Sequence, residues 1–306
     1  MVRQWTNRNC ICGVYQLAEV VWLKFKSALA KVLSLFALAV FLSSCNSFFY
    51  YPHPDIYTTP DKVTLSYREV TIPVDQDVTL KAWHIFGQNK LPAPVAVLQF
   101  HGNAENRSTH FFAVAWLAKA GADVVAVDYR GYDGSTGEPS RSGLVDDGVA
   151  ALKWFEREFP NSRRYVIGQS LGGAVALPAI VKSGVKLDGV ILESTFHSYR
   201  GIARIKLASR WLTWPFQWLP WIVLSGDEDP EDVASQLKIP ALVFHDRHDP
   251  VVEYESGAIL YAKLPAATTR VFVNDGNRHA AAFSKDRPDY RQETLRFLGM
   301  AAQNSR

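Results

Sequence analysis

Short apolar runs alternate with longer segments of helical periodicity along most of the chain. Residues 67–73 and 78–86 flank the polar turn Asp75-Gln76-Asp77 and predict an antiparallel pair of strands. Beyond them, runs rich in β-branched residues are typical of buried strands, and the predicted helices between them are 106–120, 142–158, 171–183, 253–263 and 288–301. This alternation predicts a mainly parallel central sheet flanked by helices, an α/β fold with right-handed crossovers.

One segment interrupts the alternation. Residues 196–226 contain a cluster of tryptophans and prolines: Trp211, Trp214, Pro215, Trp218, Pro220 and Trp221. The spacing of Trp214, Trp218 and Trp221 predicts one aromatic face of a helix. Two interpretations stay open. The tryptophans pack this excursion against the core, or they form a surface that contacts an acyl chain or a membrane, since tryptophan favours membrane interfaces.

A serine stands where a predicted strand turns into a predicted helix. The run Arg164-Tyr165-Val166-Ile167 precedes Ser170, and a helical pattern begins at Leu171. Gly168 and Gly172 lack the Cβ atoms that would clash in so tight a turn. The turn places the hydroxyl at the positive end of a helix and directs the N–H of Leu171 at the oxygen under attack. Ser170 is therefore predicted to be a nucleophile.

A serine nucleophile needs a base and a residue that orients the base, and candidates for both follow it. Asp249 comes after the apolar run 241–244, and His279 comes after the run 270–273. Because parallel strands end at one edge of a sheet, where α/β proteins build their sites, these residues are expected to meet. His279 would take the serine proton, and Asp249 would hold the imidazole in the correct tautomer.

Three further segments carry a resemblance to a known family. They are Val95–Asn106 with its His101-Gly102-Asn103 step, Val124–Ser135 with the run DYRGYDGS, and Gly189–Ser194. Together with the serine turn, they resemble the α/β-hydrolase superfamily, specifically its serine acyl hydrolase and aminopeptidase-like branch. The resemblance covers roughly residues 65–300. Asp133 is the departure, because a glycine is expected there.

The resemblance implies an α/β-hydrolase fold with the order Ser170, Asp249, His279 along the chain. It also implies an oxyanion hole formed by the backbone N–H groups of Asn103 and Leu171. The excursion after the sixth strand is expected to form a small helical cap from about residue 196 to 236. By the same resemblance, His101 braces its loop and does not act on the substrate.

Polar neighbours of the predicted triad invite other interpretations. Asp246, His248 and Asp275 are interpreted as solvated loop groups. A metal cluster of His245, His248, Asp246 and Asp249 is disfavoured, because short His/Asp spacing in a loop has little specificity and the triad already uses Asp249. The sequence shows neither a glycine-rich phosphate loop nor a dinucleotide fingerprint. We therefore expect neither a metal nor an organic cofactor.

The N-terminal segment predicts where in the cell the protein is located. Lys24, Lys26 and Lys31 precede the apolar run 32–42, which is too short to span a membrane comfortably and is typical of a secretory signal. Residues 42–45, Leu-Ser-Ser-Cys, resemble the bacterial lipobox, in which the cysteine is lipidated and begins the mature protein. An uncleaved anchor helix with an incidental cysteine is the alternative.

The lipobox resemblance divides the chain into three parts. They are a signal peptide over 1–44, a lipidated tether over 45–64 that begins at Cys45, and a hydrolase domain over 65–306. The resemblance implies attachment to the bacterial cell envelope, and Asn46 after the cysteine points to the periplasmic face of the outer membrane.

The positions of the cysteines and the distribution of charge indicate which cellular environment and which partners to expect. No cysteine follows Cys45, so the exported domain is expected to lack a disulfide framework. Residues 1–44 carry a net charge of +4 against +3 for the whole chain, which leaves the remainder near neutral. No basic patch therefore argues for a nucleic-acid partner.

These observations predict a serine hydrolase that cleaves an ester, a thioester or an amide. A carboxylesterase or acyl hydrolase acting on a small-molecule or acyl substrate is favoured, and a serine aminopeptidase-like peptidase is an alternative. A lipid-anchored binding or scaffold protein without turnover is an alternative of another class. The intact set of Ser170, Asp249 and His279 favours an enzyme.

Overall fold

The computed structural model describes Lys26 and residues 49–89, 91–224 and 226–300. From Tyr50 onward, the described residues belong to one compact unit. Cys45 and, apart from Lys26, the predicted signal peptide lie outside the described residues. In the part that is described, no helix has both the length and the apolar composition needed to cross a membrane.

Eight strands of the described chain form the central sheet. They are β1 (Tyr67–Pro73), β2 (Thr79–Ile85), β3 (Val95–Phe100), β4 (Asp123–Val127), β5 (Arg163–Gln169), β6 (Gly189–Glu193), β7 (Ala241–Asp246) and β8 (Thr269–Asn274). Their order is β8-β7-β6-β5-β3-β4-β2-β1. Only the β1–β2 and β2–β4 pairs are antiparallel. The predicted mainly parallel sheet and its initial antiparallel pair are confirmed.

The helices of the described residues are α1 (Arg107–His110), α2 (Ala115–Lys119), α3 (Arg141–Glu158), α4 (Leu171–Ser183), α5 (Tyr199–Ala208), α6 (Pro220–Val223), α7 (Pro230–Val233), α8 (Tyr254–Lys263) and α9 (Pro288–Phe297). The predicted helix 171–183 is confirmed at both ends. The helix predicted over 288–301 ends early, because Gly299 adopts φ 61°, the left-handed conformation that terminates helices.

The predicted helix 106–120 is wrong as a single helix. A 3₁₀ turn, Phe111–Ala113, separates α1 from α2. Asn106 caps α1 by accepting the N–H of Ser108. The tighter turn brings the buried ring of Phe111 edge-on to Trp83, with ring centroids 5.6 Å apart. Packing against the core thus overrides the helical pattern.

Helices cover both faces of the sheet. Side chains of α2 and α9, including Leu117 and Leu295, share one buried cluster with strand residues. On the other face, Gly148 of α3 lies so close to α4 that a Cβ there would come within 2.7 Å of Ala179. Strands β3, β6 and β7 are buried throughout, which explains their continuous apolar runs.

The excursion after β6 is a series of short helices. Helix α5, the 3₁₀ turn Trp214–Phe216 and helices α6 and α7 follow one another, so the predicted small helical cap is present. The single aromatic helix face is wrong, because Pro215 and Pro220 each stand near the start of a new turn. The tryptophans keep 52% to 87% of their surface exposed, so their interpretation as core packing is wrong too.

The described part of the predicted tether is docked on the rest of the compact unit. Tyr51–Pro52 pairs in parallel with Ala104–Glu105. The side chain of Asn106 donates to the carbonyl oxygens of His53 and Asp55 at 2.8 Å each. These contacts hold residues 51–55 against the loop that follows β3.

Candidate active site

Ser170 lies in a strained turn between β5 and α4. Its backbone has φ 54° and ψ −116°, a conformation that non-glycine residues rarely adopt. A Cβ on Gly168 would come within 2.6 Å of Gly173 Cα, and one on Gly172 would collide with the carbonyl oxygen of Phe100. The Ser170 N–H donates to the carbonyl oxygen of Glu193 at 2.8 Å. The predicted strand–serine–helix turn is confirmed.

Asp249 is buried and pairs with His279, whose side chain is 21% exposed. Nδ1 of His279 lies 2.8 Å from Oδ2 and 3.0 Å from Oδ1 of Asp249. Asp249 also accepts the N–H groups of Val251 and Val252 at 2.8 and 3.0 Å. Burial alone would raise the pKa of Asp249, but these hydrogen bonds outweigh burial and lower it. The ionised carboxylate holds the proton of His279 on Nδ1, which leaves Nε2 free to accept a proton.

The end of β6 connects the serine turn to the histidine loop. Glu193 pairs in register with Gln169 on one side and with Phe244 on the other. From the histidine loop, the N–H of Ala280 donates to Ser194 Oγ at 3.3 Å. Within the described residues, no hydrogen bond joins Ser170 Oγ to His279, and such bonds commonly tighten only when substrate binds. The structure thus pairs Asp249 directly with His279 and places that pair beside the serine turn.

The two predicted oxyanion donors lie on elements that touch. The N–H of Leu171 is in the first turn of α4, where helical N–H groups have no acceptor within the helix. Gly172, the next residue, packs against the carbonyl groups of Phe100 and His101 too closely for any side chain. The loop that carries Asn103 is therefore adjacent to the start of α4.

Two tyrosines hold the backbone of Asn103 in place. Its carbonyl oxygen accepts the N–H of Tyr51 at 2.9 Å and the hydroxyl of Tyr132 at 2.8 Å. Neither tyrosine was singled out from the sequence. The docked segment at the start of the compact unit thus fixes one wall of the candidate site.

His101 braces its loop, as expected. The ring is 1% exposed, and Nδ1 donates to the carbonyl oxygen of Gly102 at 2.7 Å. Nε2 lies 3.1 Å from Asp128 Oδ1, at an angle that makes no hydrogen bond. The ring also lies 5.0 Å from that of His110. Because the ring is enclosed on all sides, His101 positions the loop that carries Asn103.

The loop that contains Asp133 departs from the glycine pattern and is stabilised by ion pairs. Asp133 adopts φ 20° and lies 2.7 Å from Nη1 of Arg107. The same Nη1 lies 2.5 Å from Oδ2 of the buried Asp128. Burial raises the pKa of Asp133, although Arg107 opposes that shift. The carboxylate thus anchors a conformation that glycine would adopt through its backbone freedom alone.

A buried polar network beneath the site was missed by sequence reasoning. Gln99 donates to Gln169 at 2.8 Å, and Gln169 donates to Glu193 at 2.7 Å. The other carboxylate oxygen of Glu193 accepts the N–H of Ala282, three residues beyond His279. Burial raises the pKa of Glu193. The available signal was polar residues at the ends of otherwise apolar strands.

Asp246 corrects the interpretation of the loop polar groups. It is 2% exposed, and Arg287 contacts both of its oxygens, at 2.6 and 2.5 Å. The interpretation of Asp246 as a solvated group is wrong, whereas His248 and Asp275 are exposed as expected. His245 is bound to the hydroxyl of Tyr261 and to a backbone carbonyl. Among the described residues, no group of three or more potential metal ligands is arranged to hold an ion.

The Asp246–Arg287 pair predicts an acid-sensitive contribution to stability. Burial raises the pKa of Asp246, but hydrogen bonds from Arg287 and a backbone N–H outweigh burial, and the net pKa is lowered. Because the folded pKa is below the unfolded value of about 3.9, the contribution is complete above that value. It is lost as the pH falls through the folded pKa.

We expect Asp246→Asn to lower the free energy of unfolding at pH 7 by about 3 kcal/mol, because Arg287 loses its counter-charge. The same substitution should reduce the loss of stability between pH 5 and about pH 2. Urea unfolding at a series of pH values measures both effects. Asp275→Asn, an exposed control, should match the parent protein, and equal stability of the two variants would contradict the assignment.

Comparisons with known proteins agree with this architecture. Residues 92–234 match the family described as serine aminopeptidase, S33. The chain is 34% identical over 263 residues to the uncharacterized protein YfhR of Escherichia coli O157:H7, covering 82% of this chain and 86% of that protein. It is 30% identical to the lysophosphatidylserine lipase ABHD12 of Xenopus tropicalis, over 68% of this chain and 58% of that one.

Solved structures share the fold at lower identity. An esterase of Pyrococcus furiosus superimposes with a TM-score of 0.65 at 22% identity, covering 83% of this chain and 98% of that one. The acylaminoacyl peptidase of Pyrococcus horikoshii superimposes with a TM-score of 0.57 at 17% identity, over 79% and 43% of the two chains. At these identities, the likeness concerns the fold.

Proposed function

Because the chain belongs to the serine hydrolases of the α/β-hydrolase superfamily, we propose that it cleaves carboxylic esters, thioesters or amides through an acyl-enzyme on Ser170. The observation that carries this proposal is the strained serine turn at the start of α4, beside the Asp249–His279 pair. A carboxylesterase or acyl hydrolase is the favoured activity. A non-catalytic scaffold gains no support from membership of an enzyme family.

The proposed reaction has two steps. Ser170 Oγ attacks the carbonyl carbon while Nε2 of His279 takes the hydroxyl proton, and the same nitrogen then returns that proton to the leaving alcohol, thiol or amine. Water attacks the acyl-enzyme in the second step and releases the acid. The N–H groups of Leu171 and Asn103 stabilise the oxyanion in both steps, each by about 3–4 kcal/mol.

A cavity beside the cap has the size of an organic group, although none of the residues that line it belongs to the proposed triad or oxyanion hole. It has a volume of about 430 Å³ and adjoins the segments that follow β6 and β7, through His197 and Ser256. Ile205, Trp221 and Ile259 give it apolar walls suited to an acyl chain or another apolar substituent. One of the relatives is named as a lipase, which is in line with acyl-ester chemistry.

The aminopeptidase alternative has an observation of its own. The same cavity is lined by the carboxylates of Asp229, Glu231, Asp232, Glu253 and Glu255, together with Arg200 and Arg204. These carboxylates would bind the free amino group of a peptide or an aminoacyl substrate that extends from Ser170 into the cavity. The description of the matching family as a serine aminopeptidase points in the same direction.

A substrate panel separates the two activities. The full chain would be assayed with p-nitrophenyl esters of increasing chain length, with acyl-CoA thioesters and with aminoacyl p-nitroanilides. Faster turnover of esters or thioesters supports the acyl hydrolase, and faster turnover of anilides supports the peptidase. The Ser170→Ala variant is the blank in each assay, and activity that persists in it would contradict the proposed nucleophile.

We also propose that Cys45 is lipidated and holds the protein on the bacterial cell envelope, at the periplasmic face of the outer membrane. The support is the sequence around the cysteine, Leu42-Ser43-Ser44-Cys45-Asn46. Mass spectrometry of the mature protein is expected to find an N-terminus at Cys45 that carries diacylglycerol. An N-terminus upstream of Cys45, or an unmodified Cys45, would refute the anchor and leave the proposed reaction unaffected.

A further inference from the structure

Exposed apolar side chains are concentrated in one segment of the cap. Of the fifteen large apolar side chains that are exposed among the described residues, seven fall between residues 211 and 222. We call these seven the aromatic face: Trp211, Leu212, Trp214, Phe216, Trp218, Trp221 and Ile222. A soluble domain rarely exposes so dense an apolar group without binding something there.

The backbone of this segment is hydrogen-bonded within the segment, whereas its large apolar side chains are exposed. Consecutive turns bind the N–H of Trp214 to the carbonyl oxygen of Arg210 at 2.9 Å and that of Ile222 to Leu219 at 2.9 Å. Trp218 is 56% exposed and Trp221 is 52% exposed. Indole rings are amphipathic. A segment that presents them on a preformed backbone is suited to bind a partner with an apolar interior and a polar boundary.

The aromatic face is next to exposed positive charge. Arg204, Lys206 and Arg210 are exposed on α5 and just beyond it, and none of the three makes an ion pair with a described residue. The sequence contains neither aspartate nor glutamate from Thr195 to Gly226. A partner that is apolar and negatively charged at one surface matches this segment.

We propose that the aromatic face and these three basic residues dock the cap on an anionic lipid bilayer. The indole rings enter the boundary between headgroups and acyl chains, and the basic side chains bind lipid phosphates. A second copy of this chain bound at the same surface would bring two sets of positive charges together, which is unfavourable. Trp221 belongs both to the aromatic face and to the wall of the cavity beside the cap, so docking would place that cavity at the lipid surface.

The docking is local and can be measured in the full chain. Hydrogen exchange would be followed with vesicles of phosphatidylcholine alone and with vesicles containing phosphatidylglycerol. We expect peptides that cover residues 204–224 to gain protection with the anionic vesicles and to lose it in high salt. Because the readout is confined to the cap, a lipid anchor or an apolar segment elsewhere in the chain does not produce it.

The chain offers a matched pair of control variants. Phe216 and Phe112 are 48% and 49% exposed, but only Phe216 belongs to the aromatic face. Phe216→Ser should weaken the protection, whereas Phe112→Ser should leave it unchanged. Neutralising Lys206 and Arg210 by glutamine should raise the lipid concentration for half-maximal protection on the order of 30-fold. Turnover of a soluble short-chain ester should be unchanged in all these variants, which shows that they fold.

Three outcomes would overturn the proposal. They are the absence of protection with either vesicle, equal protection with both vesicles, and protection without vesicles that rises with protein concentration, which would indicate a second copy. Docking uses no residue of the proposed triad, so Ser170→Ala should bind vesicles like the parent protein. A failure of docking is thus distinguishable from a failure of the proposed hydrolysis.

Discussion

Replacing Ser170 with alanine is expected to lower kcat for the best substrate on the order of 10⁶-fold, the scale seen when a triad loses its serine. The hydroxyl is the atom that would form the covalent bond, and no water in the site would have the same position and basic partner. The fold should persist, because alanine removes one oxygen from a turn whose strain is held by Gly168, Gly172 and the hydrogen bond to Glu193. Steady-state hydrolysis and labelling by a fluorophosphonate measure the loss.

Ser183→Ala is the control for this experiment. Ser183 lies at the opposite end of α4, where its hydroxyl bonds to the carbonyl oxygen of Ile180 and the N–H of Val185. This variant should hydrolyse the substrate and take up the label like the parent protein. Undiminished turnover or undiminished labelling in Ser170→Ala would remove Ser170 from the reaction.

Replacing Asp249 with asparagine is expected to lower kcat by about 10⁴-fold. The carboxylate oxygens lie 2.8 and 3.0 Å from His279 Nδ1 and hold the proton on that nitrogen. An asparagine amide can donate to Nδ1, which would shift the proton to Nε2 and leave His279 unable to accept the proton of Ser170. Substrate binding should change little, so KM should stay within a few-fold of its original value.

Asp275→Asn is the control for the acid, because the Asp275 side chain is 83% exposed and its partners Arg247 and His248 are exposed too. It should retain full activity. Near-UV circular dichroism and thermal unfolding would show whether Asp249→Asn keeps the native packing. A folded Asp249→Asn protein with normal kcat would show that another residue orients the base.

Some of the candidate site could be predicted because it depends on neighbouring residues. The turn at Ser170 needs small residues two positions before and after it, and this requirement is visible in the sequence itself. Asp249 and His279 each follow an apolar run, and parallel strands end at the same edge, so their common location followed from the α/β pattern. Helix α4 was predicted to its last residue, because it begins at the turn and ends before Gly184 in the left-handed conformation.

Other features depended on contacts between distant parts of the chain. Gln99 and Gln169 are 70 residues apart, and Glu193 bonds to a residue 89 positions away, so only the strand order and register bring these groups together. Asp246 is a buried ion-pair partner because Arg287 reaches it from the terminal helix region, 41 residues away. The sequence shows that each of these residues is polar or charged, but it does not show which distant residue each one contacts.

The cap segment has both a feature that the sequence determined and a feature that only the tertiary structure decided. The sequence by itself determined that tryptophans and prolines interrupt the strand–helix alternation, because prolines end helices through their own covalent geometry. It could not determine whether the tryptophans face the core or the solvent, since the same spacing serves both. Only the tertiary structure decided that, because the strands and the helices around them already fill the core and leave more than half of each tryptophan's surface exposed.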